Sequence, residues 1–175
     1  MSTFKIDPLH SDIEFKVKHL MISTVNGRFT KFDATMEAEL EDFTDAVLTF
    51  EADVDSVTTN ITDRDNHLKS DDFFSAENYP KITFKSTEIN KLDNGDYAID
   101  GLLTIRDIEL PITLSGTYNG NDVDAYGQTK YGFELEGIIK RSDYGLSFNA
   151  VGEKGGILVS DEVKLIISIQ MMKAE

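Results

Sequence analysis

The stretch Tyr97-Ala-Ile-Asp-Gly-Leu-Leu-Thr-Ile105, followed by Ile108-Glu-Leu-Pro-Ile-Thr-Leu-Ser-Gly-Thr-Tyr118, decides the fold. In an extended chain Tyr97, Ile99, Gly101, Leu103 and Ile105 share one face, and so do Ile108, Leu110, Ile112, Leu114, Gly116 and Tyr118. Successive side chains of a strand point to opposite sides, so this period of two predicts antiparallel sheet with one dry face and one wet face.

The same pattern runs through the rest of the chain. Ile13, Phe15 and Val17 alternate with Glu14, Lys16 and Lys18; Phe32, Ala34, Met36, Ala38 and Leu40 follow, then Leu48, Phe50, Ala52 and Val54. Phe133, Leu135, Gly137 and Ile139 form a further run, and Val163, Leu165, Ile167, Ile169 and Met171 the last. With residues 81–90 this amounts to about eight strands. Asp93-Asn94-Gly95-Asp96 and Asn119-Gly120-Asn121-Asp122 read as hairpin turns, and Asn26-Gly27 and Lys154-Gly155-Gly156 as further reversals. Alternation stops between 60 and 80. There the sequence predicts a short helix over about 62–71, capped by Asn60 or Thr62, carrying Asp63 and Asp65 in its first turn and closed by Pro80. Pro8-Leu9-His10 reads as a second short helical turn.

Composition narrows the function. The chain has 175 residues, 40% of them hydrophobic, with 17 basic side chains against 32 acidic ones and a formal charge of -15. That surplus argues against nucleic acid and against an anionic membrane surface, both of which need clustered Lys and Arg. The absence of Cys excludes disulfides, thiolate–metal sites and a cysteine nucleophile. No apolar run reaches the roughly 18–20 residues that span a bilayer, so no stable membrane insertion is expected. Met1–Asp7 has no basic stretch followed by an apolar one, and the expectation is a cytoplasmic protein. No repeat, linker or biased tract divides the chain, so residues 1–175 read as one domain.

Eight antiparallel strands joined by tight turns close most simply into an up-and-down barrel, which leaves no sheet edge. Its apolar face is poor in bulk, since Ala34, Ala38, Ala52, Gly101, Gly116 and Gly137 lie on it and Trp is absent. Small residues there either relieve crowding where strands bend or leave room for an apolar ligand.

The segments outside the alternation carry a resemblance. Phe4-Lys-Ile-Asp7-Pro-Leu-His10-Ser11-Asp-Ile-Glu-Phe15, Gly27-Arg-Phe29-Thr-Lys-Phe32, and Thr62-Asp63-Arg64-Asp65-Asn-His67-Leu68-Lys-Ser70-Asp-Asp-Phe73-Phe74 resemble the YceI-like, or polyisoprenoid-binding, family. Tyr79-Pro80-Lys-Ile82-Thr-Phe84, Gly101-Leu-Leu-Thr-Ile-Arg106 and Ile139-Lys-Arg141-Ser-Asp143-Tyr-Gly145 extend it in family order along nearly the whole chain. Phe4 stands where many members have Trp, and many members carry a periplasmic signal peptide that this chain does not show. The resemblance implies a lipocalin-like, eight-stranded antiparallel β-barrel with a short helix flanking its mouth. It also implies a long-chain amphiphile held in an apolar tunnel, such as a polyprenyl quinone, an isoprenoid or a fatty-acyl lipid. Family members are often dimers, so a homodimer is implied as well.

On that reading the tunnel is lined by Ile13, Phe15, Val17, Phe32, Met36, Leu48, Phe50, Ile99, Leu103, Ile112, Leu114, Phe133, Leu135, Leu165 and Ile167. His10, His67, Arg64, Asp65 and Arg141 are the candidates for a polar mouth, with His10 and His67 approaching each other near the helix and Phe73, Phe74 and Tyr79 covering the opening. Arg64 is expected to pair with carboxylates and pin the helix, and Arg141 to pair with Asp143 in a turn. The histidines have no metal-ligand spacing, so no metal, catalytic group or required cofactor is expected beyond the bound lipid. Two alternatives stay open: an enzyme acting on an isoprenoid-like lipid through His10 or His67, and a filled barrel whose surface serves a partner protein.

Overall fold

A computed structural model describes residues 1–20, 22–146 and 159–174. Strand β1 (Ser2–Ile6) leads into a 3-10 turn, Pro8–His10, and then β2 (Asp12–His19), β3 (Ser23–Phe29), β4 (Phe32–Ala38), β5 (Val47–Asp53) and the short β6 (Val57–Thr58). The helix α1 (Thr62–Lys69) follows, then β7 (Lys81–Lys91), β8 (Tyr97–Ile105), β9 (Ile108–Val123), β10 (Thr129–Lys140) and β11 (Val159–Lys173).

Register shows how these segments close. β1 pairs with the C-terminal half of β11 and β2 with its N-terminal half, so β1 and β2 form one interrupted staff along the same neighbour. β4 pairs with β1 and β3 with β2, while β5 pairs with β4 and β6 with β3. From β5 the ladder runs to β7, β8, β9, β10 and β11, every pair antiparallel. The eleven segments therefore fill eight staves, and the contact of β1 with β11 joins the last stave to the first. Closure pairs the main-chain groups that an open edge would leave exposed. The expected eight-stranded barrel with a short α-helix is the observed architecture of the described residues.

Several local expectations change. Asn26-Gly27 lies in the middle of β3, because the Phe15 ring occupies the place that a side chain at Gly27 would need. Asn119–Asp122 is not a hairpin either. It belongs to β9, where the register with β10 shifts between Gly132 and Phe133 and Gly120 takes φ +100, so the signal marks a β-bulge. The true reversal follows at Asp124, whose carboxylate accepts the N–H groups of Tyr126 and Gln128. Helix α1 begins after Ile61 with no side-chain cap, and neither Asn60 nor Thr62 fills that role. The reversal read at 154–156 lies outside the described residues.

The two ends of the barrel are closed differently. Between β4 and β5 the loop folds Phe43 inward at φ +60, where it meets Phe4, Tyr118, Tyr131 and Phe133 at centroid distances of 5.3 to 6.0 Å. These are edge-to-face contacts, which add to the burial of the rings. The opposite end is covered by α1 and the chain that follows it.

Candidate functional site

Between the aromatic plug and the helix lies a cavity of about 150 Å³. Its walls follow the alternation of the strands. β2 contributes Ile13, Phe15 and Val17; β5 contributes Leu48 and Phe50; β8 and β9 give Leu103, Ile112 and Leu114; β10 and β11 give Leu135, Leu165 and Ile167. A second void of about 40 Å³ lies on the plug side and takes in Met36, Ile99 and Phe133. Leu48, Leu135 and Ile169 line both voids and form the partition between them. Of the residues read as tunnel wall, Phe32 alone borders neither. It packs against the core at the start of β4, paired with Ala52, and it is Ala34 and Ala52 that face the cavity.

The small inward residues divide between two roles. Ala34 and Ala52 leave open space. Gly101 and Gly137 do not: a Cβ at Gly101 would run into the Phe84 ring, and one at Gly137 into the Leu114 side chain. Those glycines seat neighbouring side chains, which makes them packing residues.

The helical cover is built locally. Arg64 donates from Nε to Thr59 Oγ1 at 2.7 Å and from Nη2 to the Thr59 carbonyl at 2.9 Å. Asp65 accepts from the N–H and the hydroxyl of the same threonine, each at 2.6 Å. Burial alone would raise the Asp65 pKa, but the Thr58 and Thr59 donors outweigh it and hold it below the ordinary carboxylate value. Both residues therefore tie α1 to the end of β6 through Thr59, and the expected pairing of Arg64 with carboxylates is replaced by this contact. After α1 the chain winds tightly: Phe74 donates to the Leu68 carbonyl, Ser75 to that of Ser70 and Ala76 to that of Lys69. The buried Ser75 hydroxyl donates to Asp71. This winding turns Phe73 and Phe74 into the cavity beside Leu68. Tyr79, expected beside them, lies under the Arg106 guanidinium instead, 5.5 Å from its ring centroid.

Arg141 is the buried ionisable side chain on the cavity wall, 6% exposed. Its guanidinium donates to the carbonyls of Leu146, Ser160 and Val159 at 2.6, 2.9 and 3.1 Å. Burial lowers its pKa, and the nearby Asp161 partly restores it. Arg141 thus fastens the turn after β10 to the start of β11, and these described partners are carbonyls where the sequence predicted Asp143. Beside it Tyr144 is 1% exposed, with burial pushing its pKa up to about 12, and its hydroxyl has no hydrogen-bond partner among the described residues.

The two histidines do not meet. His10 Nδ1 lies 2.8 Å from Asp7 on the outer wall, and His67 Nε2 lies 2.9 Å from Asp72 at the helical end. Neither lines the cavity. Asp7 also holds Lys130 at 2.6 Å, and Ser11 beside it donates to the Asp7 carbonyl and accepts from the Gln170 N–H, so its hydroxyl is committed to the main chain. Among the described residues no group of three or more His, Asp and Glu side chains is placed to hold a metal ion, and no helix is long and apolar enough to cross a membrane. Sequence reasoning missed the Phe43 plug, which sits in an irregular loop without periodicity. It also missed the Leu48–Leu135–Ile169 partition, which depends on register.

A closed up-and-down barrel with an apolar void and a helical cover defines a lipocalin-like class of protein. The chain belongs to the YceI-like domain family, whose model matches residues 4–171. It is 38% identical over 171 residues to a UPF0312 protein of Staphylococcus epidermidis, covering 97% of each chain. Among solved structures, the YCEI protein of Campylobacter jejuni is 33% identical over 90% of each chain, with a TM-score of 0.76. A polyisoprenoid binding domain from Saccharophagus degradans shares the fold at a TM-score of 0.68, covering 98% of each chain at 14% identity.

Proposed function

We propose that the protein holds a long-chain amphiphile, of polyprenyl or fatty-acyl type, with its tail in the barrel. The observation that carries this reading is the apolar void inside a closed barrel, walled by aliphatic and aromatic side chains from all eight staves. The polyisoprenoid binding domain of the same fold supports the ligand class.

The energetics fit such a task. Each CH₂ moved from water to an apolar interior contributes about 0.8 kcal/mol, so a long tail supplies roughly 10 kcal/mol gross. Immobilising the chain takes back a large part, leaving micromolar or tighter affinity. A void near 150 Å³ is the size that admits a benzene ring in other proteins, so a longer tail needs room made for it. The side chains able to make room are Phe73 and Phe74 on the cover and the Leu48–Leu135–Ile169 partition. Loading then selects the expanded state of the barrel.

The test is native mass spectrometry of protein purified from its host, followed by lipid extraction. A bound apolar molecule, displaced by added prenyl chains, is the expected result. Recovery of none, with no uptake of added prenyl or fatty-acyl chains, refutes the carrier reading.

A further inference from the structure

We propose that the outer groove between β2 and β11 seats the anionic head group, carboxylate or phosphate, of the amphiphile, and that the seam beneath it is the path of the tail into the cavity. This rests on the carrier reading above.

The ladder is loosest at this seam. Val159 pairs with His19, and the next matched pair is Val163 with Val17, four residues on along β11 against two along β2. Within the irregular stretch the Lys18 N–H donates to the Ser160 hydroxyl at 3.0 Å. Val17 and Val159 line the interior cavity and also an outer groove of about 710 Å³, so the wall here is one side chain thick.

The groove carries the chemistry of an anion. Lys16, Lys18 and Lys164 line it, all exposed, in a chain whose acids outnumber its bases 32 to 17. Lys16 and Lys164 are directly opposed across the strands, an arrangement in which like charges destabilise a sheet. Among the described residues no carboxylate lies within 4.0 Å of any of the three. Two acids, Asp161 and the exposed Glu162, also border the groove; Asp161 is taken up by the N–H and hydroxyl of Ser142, from which it accepts at 2.9 and 2.7 Å, so the lysines outnumber the acids three to two. Ile138, 65% exposed and paired in register with Lys164, offers an apolar surface to the first carbons below a head group. Cations outside, an apolar shelf and a thin seam leading to a dry void together match a single-chain anionic amphiphile.

The test uses the absence of native cysteine. His19 and Val159 are directly opposed, within reach of a disulfide, so H19C/V159C staples the seam when oxidised. S115C/E136C, a matched pair across β9 and β10 that lines none of the voids, is the control staple. Uptake and release of radiolabelled palmitate are followed by rapid gel filtration, before and after reduction. The oxidised seam staple is expected to slow both by about tenfold or more, with full recovery on reduction and no effect of the control. K16M/K164M is expected to weaken palmitate about tenfold while leaving hexadecanol unchanged. Loading at the parent rate through an oxidised seam overturns the path. Equal loss for acid and alcohol, or loss for neither, overturns the head-group site, as does tight binding of inorganic phosphate alone. If the parent protein binds neither palmitate nor hexadecanol, the carrier reading itself fails; if it binds both while staple and lysine variants behave as the parent, only this inference fails.

Discussion

Leu135→Ala tests the partition. Leu135 is 5% exposed, borders both voids, and lies with Cδ2 3.0 Å from the place a Cβ on Gly116 would occupy. Truncation removes three carbons, worth about 2.4 kcal/mol of transfer free energy at ~0.8 kcal/mol each. Buried Leu→Ala changes in a well-packed core cost roughly 2.7–5.0 kcal/mol, the excess being the dispersion energy forfeited around the new cavity. Two sides of Leu135 already face empty space, so there is less packing to forfeit, and the expected cost is about 2.5–3 kcal/mol. In urea that is a midpoint loss of about 1–1.5 M at an unchanged slope, and on heating a fall of about 6–10 °C. The two voids become continuous, so a lipid tail longer by three or four carbons gains up to ~3 kcal/mol, and the loaded variant recovers most of what the empty one loses. A chain-length series read by native mass spectrometry, alongside melts of empty and loaded protein, measures both effects. A loss above about 4 kcal/mol, or an unchanged preference for tail length, shows that Leu135 is ordinary core and refutes the partition.

Three further outcomes follow from single groups. Tyr144→Phe removes a buried hydroxyl without a partner among the described residues and is expected to raise stability by about 1 kcal/mol, seen as a higher melting temperature; a fall would mean that the hydroxyl is satisfied. Asp7 would be raised by burial, but Lys130, His10 and the Leu9 N–H overcome this and hold its folded pKa below the ordinary value. Its contribution is therefore complete above the unfolded value near 4 and is lost as pH falls through the folded one. Asp7→Asn should cost about 2–3 kcal/mol at neutral pH, since the remaining described carboxylate near Lys130 is Asp124 at 3.7 Å, and should flatten the acid limb of the stability curve; an unaltered acid slope would remove Asp7 from that role. Gly27→Ala forces the Phe15 ring from its seat into the cavity and is expected to cost about 1–3 kcal/mol and to weaken lipid uptake. Normal uptake by that variant would mean the ring has somewhere else to go.

The strands were legible wherever a dry face alternates with a wet one, as in Tyr97–Ile105, whose bounds match β8. β1 and β3 were not, because Ser2–Ile6 is short and Ser23–Phe29 presents mostly polar residues. Asn-Gly and Gly-Asn signals misled at Gly27 and Gly120 because a glycine can serve a neighbouring ring or a bulge as well as a turn. Most of the tunnel wall followed from alternation, since inward positions of a closed barrel have nowhere else to point. What could not be read was which inward positions border space. Gly101 and Gly137 suggest emptiness in the sequence and are filled by Phe84 and Leu114 in the fold. The partners of Arg141 were equally hidden, since Leu146, Val159 and Ser160 reach it only once β11 is in register.

The closure of the barrel bears on how a ligand exchanges. Withdrawing Phe43 breaks its edge-to-face packing with four rings, each pair worth about 0.5–1.5 kcal/mol beyond burial. The plug end is therefore the costly one to open. At the other end α1 buries none of its residues fully, and its ties run through Thr58, Thr59 and a Lys69–Asp55 ion pair at 3.7 Å, but the winding from Ser70 to Tyr79 moves Phe73 and Phe74 with it. Lifting that cover exposes two large rings at about 1.5–3 kcal/mol each. Parting β2 from β11 between residues 159 and 163 needs neither, since the ladder there is already interrupted and, among the described residues, Val17 and Val159 are the side chains that border both cavity and groove. A tail that enters where the wall is thinnest leaves plug and cover in place, and the barrel opens at this seam alone while it loads.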